Sequence, residues 1–119
     1  MRSHHRLEAW QEAMKLAEKI YRLTGMFPKE EIYGLVGQMR RAAVSVPSNI
    51  AEGAARGGGR EFLHFLKIAR GSLSELETQL MLSTRLDYLE KNDSIMGDVD
   101  KLFGLVGGLI NSLKNEENV

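Results

Sequence analysis

The chain contains no cysteine, which excludes disulfides and thiolate-ligated metals and suits a reducing compartment such as the cytoplasm. Proline occurs only twice. Abundant Leu, Ala, Glu, Lys, Arg and Met further favour helix over sheet. Long hydrophobic runs are missing as well. The longest, Leu102 to Ile110, is too short to cross a bilayer. The opening residues Met1 to Arg6 are polar and lead into an amphipathic stretch, so no signal peptide is expected. Net charge is zero, without the basic excess typical of a dedicated nucleic-acid binder. What is present is ordinary globular material: 119 residues, 43% hydrophobic and 27% charged, expected to form one domain over residues 1–119. The charge is uneven: 13 Lys and Arg stand against 9 Asp and Glu in residues 1–85, and 3 against 7 in residues 86–119.

Four segments carry helical periodicity. From about Leu7 to Thr24, the residues Leu7, Trp10, Met14, Ala17 and Tyr21 recur every three or four positions, flanked by Ala13, Leu16, Ile20 and Leu23. That is one broad apolar stripe, and Gly25 stops it. A second helix is expected to enter at Pro28-Lys29-Glu30-Glu31, where proline and acids suit a first turn. Its apolar positions Ile32, Leu35, Val36, Met39, Ala42, Ala43, Val46, Ile50 and Ala54 keep phase across Pro47. One long helix kinked at Pro47 accounts for this better than two shorter ones, which stay possible. Gly57-Gly58-Gly59 ends it. The third segment, Arg60 to Leu86, aligns Phe62, Phe65, Leu66, Ala69, Leu73, Leu76, Leu80 and Ser83. A turn follows over Asp87 to Asp93, with Asp93 or Ser94 as cap. The fourth carries Ile95, Val99, Leu102, Phe103, Val106, Leu109, Ile110 and Leu113, and then a polar tail, Lys114 to Val119, expected to fray. Short connections between four amphipathic helices predict an all-α, up-and-down four-helix bundle with its core over about residues 7–113.

Catalytic chemistry finds little support in the residues. Glu61 and His64 form one Glu-x-x-His step, but a di-metal carboxylate bundle needs two such steps and two further Glu. No serine sits in a nucleophile elbow, and the triple glycine lacks a Walker lysine. No enzyme activity, cofactor, metal or small-molecule substrate is expected. The polar stripe of the second helix is more informative: Arg41, Ser45, Ser48, Asn49, Glu52 and Arg56 follow at helical spacing, bordered by Arg40. On the third helix Arg60, His64, Lys67 and Arg70 form a basic edge. Two readings stand: a solvated face with internal pairs such as Glu52–Arg56, or a cationic surface for phosphate backbones. No aromatic residue interleaves with the stripe, so base stacking on it is not indicated. In the fourth helix Gly104 and Gly108 either leave room for a closely approaching helix, within the bundle or on a second subunit, or mark a frayed helix end.

The string Arg40-Arg41-Ala42-Ala43-Val44-Ser45-Val46-Pro47-Ser48-Asn49-Ile50-Ala51-Glu52-Gly53 resembles the signature of the four-helix-bundle proteins encoded in 23S rRNA intervening sequences. Three further segments agree: Leu7-Glu8-Ala9-Trp10-Gln11, Phe27 to Leu35, and Glu61 to Leu80. Accessory proteins of diversity-generating retroelements look similar. The resemblance implies a bundle whose second helix passes through the proline, a homo-oligomeric ring (commonly a pentamer) and no enzyme activity. It also implies association with RNA, or alternatively with a protein partner such as a reverse transcriptase and no direct RNA contact. Carried onto this chain, the polar signature is Arg40, Arg41, Ser45, Asn49, Glu52 and Arg56, with Arg60 and Lys67 extending the candidate surface. Glu75, Glu77 and Gln79 are expected to organise the neighbouring helix. One departure stands out: relatives usually place Gly before the Tyr-Leu pair, where this chain has Asp87-Tyr88-Leu89.

Overall fold

The computed structural model describes residues 2–117. Four α-helices account for most of them: α1 (Glu8–Thr24), α2 (Leu35–Ala55), α3 (Gly59–Arg85) and α4 (Ile95–Glu117), with 3-10 turns at Ser3–Arg6 and Lys29–Glu31. No strand occurs among the described residues. Each helix contacts its sequence neighbours, α1 also contacts α4, and the diagonal pairs do not meet among the described residues. This is the square cross-section of an up-and-down bundle, 49 × 24 × 21 Å along its principal axes.

The core follows from the helical period. Ile20, Met39, Ile50, Leu66, Leu73, Leu76, Leu80, Leu102, Val106 and Ile110 are fully buried along the bundle axis. Each aliphatic side chain removed from water this way contributes ~1.5–3 kcal/mol. Helix α2 runs unbroken through Pro47, whose side chain is buried. Proline lacks the N–H that the Ala43 carbonyl would accept from, so burial of the ring, rather than that hydrogen bond, supports the helix there. The tightest crossing lies between α2 and α3. A Cβ on Gly53 would stand 2.7 Å from Phe65 Cβ and 3.1 Å from Phe62 Cδ1, so this position of the signature has no room for a side chain.

Several boundaries and faces differ from the sequence expectation. Pro28-Lys29-Glu30-Glu31 does not open α2. It forms a separate 3-10 turn, and α2 starts at Leu35 after Gly34. Ile32, expected in the core, is consequently exposed. On α1 the buried line is Ala9, Ala13, Leu16, Ile20 and Thr24. Met14 and Tyr21 lie outside, because α1 carries two adjacent apolar lines and the bundle covers only one. On α3, Leu63 takes the core position expected of Phe62, while Phe62 and Phe65 are half-buried. Helix α4 continues to Glu117 rather than fraying after Leu113; Asn118 and Val119 lie outside the described residues. Asp93 proves to be the capping side chain, its Oδ1 accepting from the Ile95 N–H at 2.9 Å. Apart from the adjoining backbone of α4 itself, no atom of the described residues lies within 4 Å of a Cβ added at Gly104 or Gly108, so no other described helix uses the room they leave.

Asp87 resolves the departure noted in the turn. It adopts φ 63°, the only positive φ among described non-glycine residues. The Tyr88 N–H donates to the Ser83 carbonyl at 2.9 Å and the Asp87 N–H to the Thr84 carbonyl at 3.1 Å. Those two bonds make a Schellman cap with Asp87 in the left-handed position that glycine usually fills.

Candidate nucleic-acid interface

The signature residues divide by what holds them. Arg40 is committed to the fold: Nε donates to Thr24 Oγ1 at 3.0 Å and Nη2 to the Tyr21 carbonyl at 3.2 Å, with the guanidinium 4.7 Å from the Tyr21 ring centroid. It satisfies a carbonyl at the end of α1 and ties α1 to α2. Ser45 and Asn49 are also engaged. Ser45 Oγ bonds Ser72 Oγ of α3 at 2.8 Å, while Asn49 Nδ2 donates to the Ser45 carbonyl at 2.8 Å and to Ser45 Oγ at 2.9 Å. The cluster is half-buried and cross-links α2 to α3 where a solvated face had been one expectation.

Glu52 and Arg56 pair at 3.0 Å, one turn apart. Arg56 also reaches Glu61 at 3.6 Å and lies over the Phe65 ring at 5.2 Å. Glu61 is therefore occupied by an arginine, and His64 is exposed with its ring 5.3 Å from that of Phe65. No three metal-ligating side chains converge among the described residues. Gln79 Nε2 donates to Glu75 Oε1 at 3.3 Å, a contact within α3 itself.

The remaining cations are differently placed. Arg41, Arg60, Lys67 and Arg70 are exposed, and none has a carboxylate within 4.0 Å among the described residues. Arg60 and Lys67 lie seven residues apart, about 10 Å of helix rise, with His64 between them. The structure thus separates the eight candidate residues: Arg41, Arg60 and Lys67 keep free charge, Glu52 and Arg56 neutralise each other, and Arg40, Ser45 and Asn49 brace the bundle. Arg70 joins the free group.

The sequence reading missed a second surface. Trp10, Met14, Ala17 and Tyr21 of α1 face Val44 and Pro47 of α2 across an open apolar groove of about 600 Å³. Two adjacent apolar lines on α1 were its only sequence signal, since a bundle of four helices covers one line per helix. Among the described residues no helix is long and apolar enough to cross a membrane.

The fold and these surfaces define a class: an up-and-down four-helix bundle with a proline-threaded second helix, a small polar brace between α2 and α3, and free cations outside it. The chain belongs to the 23S rRNA-intervening sequence protein family, whose model matches residues 5–107. No curated protein matches it.

Proposed function

We propose that the protein is a non-enzymatic, cytoplasmic, homo-oligomeric accessory protein that associates with RNA through Arg41, Arg60, Lys67 and Arg70. The observation that carries this reading is selective freedom. The cations elsewhere on the signature are consumed by carboxylates, carbonyls or ring faces, whereas these four carry no intramolecular partner among the described residues. An exposed arginine or lysine contributes affinity for a phosphate backbone mainly by releasing counterions. Four such groups on one subunit bind weakly. Repetition around a ring of subunits, five by the family resemblance, multiplies them into useful avidity.

The test is binding of a labelled structured RNA titrated with salt. We expect affinity that falls steeply with salt, and an Arg60→Glu, Lys67→Glu double variant that lowers the log–log salt slope by about two, since each lost phosphate contact removes about one. Absence of binding at low salt in the wild-type protein refutes the reading. A second reading, a scaffold that recruits a protein partner such as a reverse transcriptase, draws support from apolar side chains left exposed, Ile68 and Leu82 on α3 and Leu86 just after it. Its mark is a salt-tolerant protein complex without RNA.

A further inference from the structure

The 3-10 turn Ser3–Arg6 lies against both α1 and α2 without burying any of its own side chains. An element with so little apolar burial sits at the low-stability end of a fold, so a few polar and ring contacts decide whether it stays down. The His5 N–H donates to the Arg2 carbonyl and the Leu7 N–H to the His4 carbonyl, each at 3.1 Å. Gln11 Nε2 of α1 donates to the His5 carbonyl at 2.8 Å, and the Arg2 N–H donates to His5 Nδ1 at 3.2 Å. Both imidazoles rest on Trp10: the His4 and His5 centroids stand 5.2 Å and 5.0 Å from its ring, and 4.3 Å from each other. His4 thereby lines one end of the α1/α2 groove with Trp10, Pro47, Ser48 and Ala51.

A backbone N–H can only donate, so His5 Nδ1 presents its lone pair to Arg2 and the imidazole is neutral, with its proton on Nε2. A second proton lands on Nδ1, turns that acceptor into a donor and sets it against the Arg2 N–H. Desolvation against its neighbours, then repulsion from His4, the chain's amino terminus and Arg2, holds the His5 imidazole below its ordinary value. Among the described residues no carboxylate acts on this ring. Glu8 and Glu12 of α1 turn toward Lys101 of α4, and α2 brings the uncharged Pro47, Ser48 and Ala51 to this end of the groove. Once released, the turn regains the ordinary imidazole value and binds the proton more tightly than the closed form does. Closure is therefore favoured above that ordinary value and lost as pH falls through the lowered one.

We propose that Ser3–Arg6 is a pH-operated strap. With His5 neutral it closes over Trp10; protonation at His5 Nδ1 releases it, uncovers Trp10 and opens that end of the α1/α2 groove.

Trp10 is the only tryptophan of the chain and reports on the strap directly. The test is acrylamide quenching of its fluorescence in the full chain without an amino-terminal tag, titrated between about pH 8 and pH 5, with helicity followed by circular dichroism. Quenching is expected to rise with one midpoint below the ordinary imidazole value of about 6.5, while helicity holds. Two variants assign the step. A glutamine at the third position of a helical turn reaches back to the cap N–H and does not titrate, so His5→Gln should stay closed throughout. His5→Ala offers no acceptor and should be open at every pH. Quenching that stays flat in the wild type overturns the strap. So does a His5→Ala variant whose Trp10 is as protected as in the wild type at pH 8. A step that survives in His5→Gln places the proton on another group and overturns the role of His5. A step that coincides with loss of helicity is acid unfolding of the bundle and overturns the strap as well.

Discussion

The α2–α3 and α1–α4 sides of the bundle are built from similar amphipathic helices and held together by different physics. Between α2 and α3 the backbones close at Gly53 against Phe62 and Phe65, and the Ser45–Ser72 hydrogen bond seals the edge. Between α1 and α4 the glycines of α4 face open space, and Gly104 and Gly108 line a shallow depression with Leu7 and Ala9. Ion pairs span that seam instead: Lys19–Asp98 at 2.7 Å, and Lys101 with Glu12 at 3.4 Å and Glu8 at 3.9 Å. Packing is short-ranged, steep and indifferent to salt, whereas exposed ion pairs are weak and screened. One side should therefore answer to side-chain volume and the other to pH and ionic strength.

The largest expected effect is at the sealed crossing. Gly53→Ala forces Phe65 or the helix axis to shift, because its Cβ has only 2.7 Å to the Phe65 Cβ. A loss of ~1–3 kcal/mol is expected from overpacking, read as a lower denaturant midpoint, and Gly53→Val should lose more. Alanine normally favours a helix over glycine by about 1 kcal/mol, so a stabilised Gly53→Ala would show that the crossing is not tight.

That position also marks how far the sequence could be read. The four helices, the passage through Pro47, the core line of α2 from Leu35 to Ile50 and that of α4 were legible because the 3.6-residue period survives intact there. The entry at Pro28 misled because proline and acids suit a 3-10 turn as well as an α-helical first turn, and only the Phe27–Tyr88–Glu31 contacts, 57 residues apart in the Glu31–Tyr88 bond, decide between them. The polar stripe was legible as a stripe. Its division into braces and free cations was not, since Arg40 finds Tyr21 and Thr24 across a helix–helix seam, and Ser45 finds Ser72 on another helix.

A smaller effect is expected from the strapped seam. Lys101→Met removes the cation shared by Glu8 and Glu12 and should cost ~0.5–1 kcal/mol at low salt, shrinking as salt screens it. Partial burial pushes the Glu12 carboxyl up, but the hydrogen bond and charge of Lys101, with help from Lys15, outweigh it and hold that carboxyl below its ordinary value. A depressed carboxyl pKa means that the unfolded chain binds the proton more tightly than the folded one. The strap's contribution is thus present above the ordinary carboxylate range and lost as pH falls through the depressed value. Thermal melts between pH 7 and pH 3 should show a shallower acid decline for Lys101→Met than for the wild type. Parallel declines would remove Glu12 from the account.

The smallest effect has the opposite sign and lies at the end of α3, where the sealed and strapped sides share a turn. Asp87 holds φ 63° without the freedom of glycine, a conformation that L-residues other than Asn and Asp seldom adopt. Asp87→Gly keeps both bonds of the cap, Tyr88 to Ser83 and Asp87 to Thr84, and relieves the Cβ. Against that stands the larger backbone entropy that glycine has in the unfolded chain. Relief of the left-handed strain is worth ~1 kcal/mol, and the entropy term takes back part of it. A net gain of about 0.5 kcal/mol is expected, read as a small rise in denaturant midpoint at unchanged slope. Asp87→Ala separates the contributions: it keeps the Cβ, removes the carboxylate and should destabilise. If Asp87→Gly were destabilising too, the aspartate carboxylate would be contributing to the turn beyond its tolerance of the left-handed conformation.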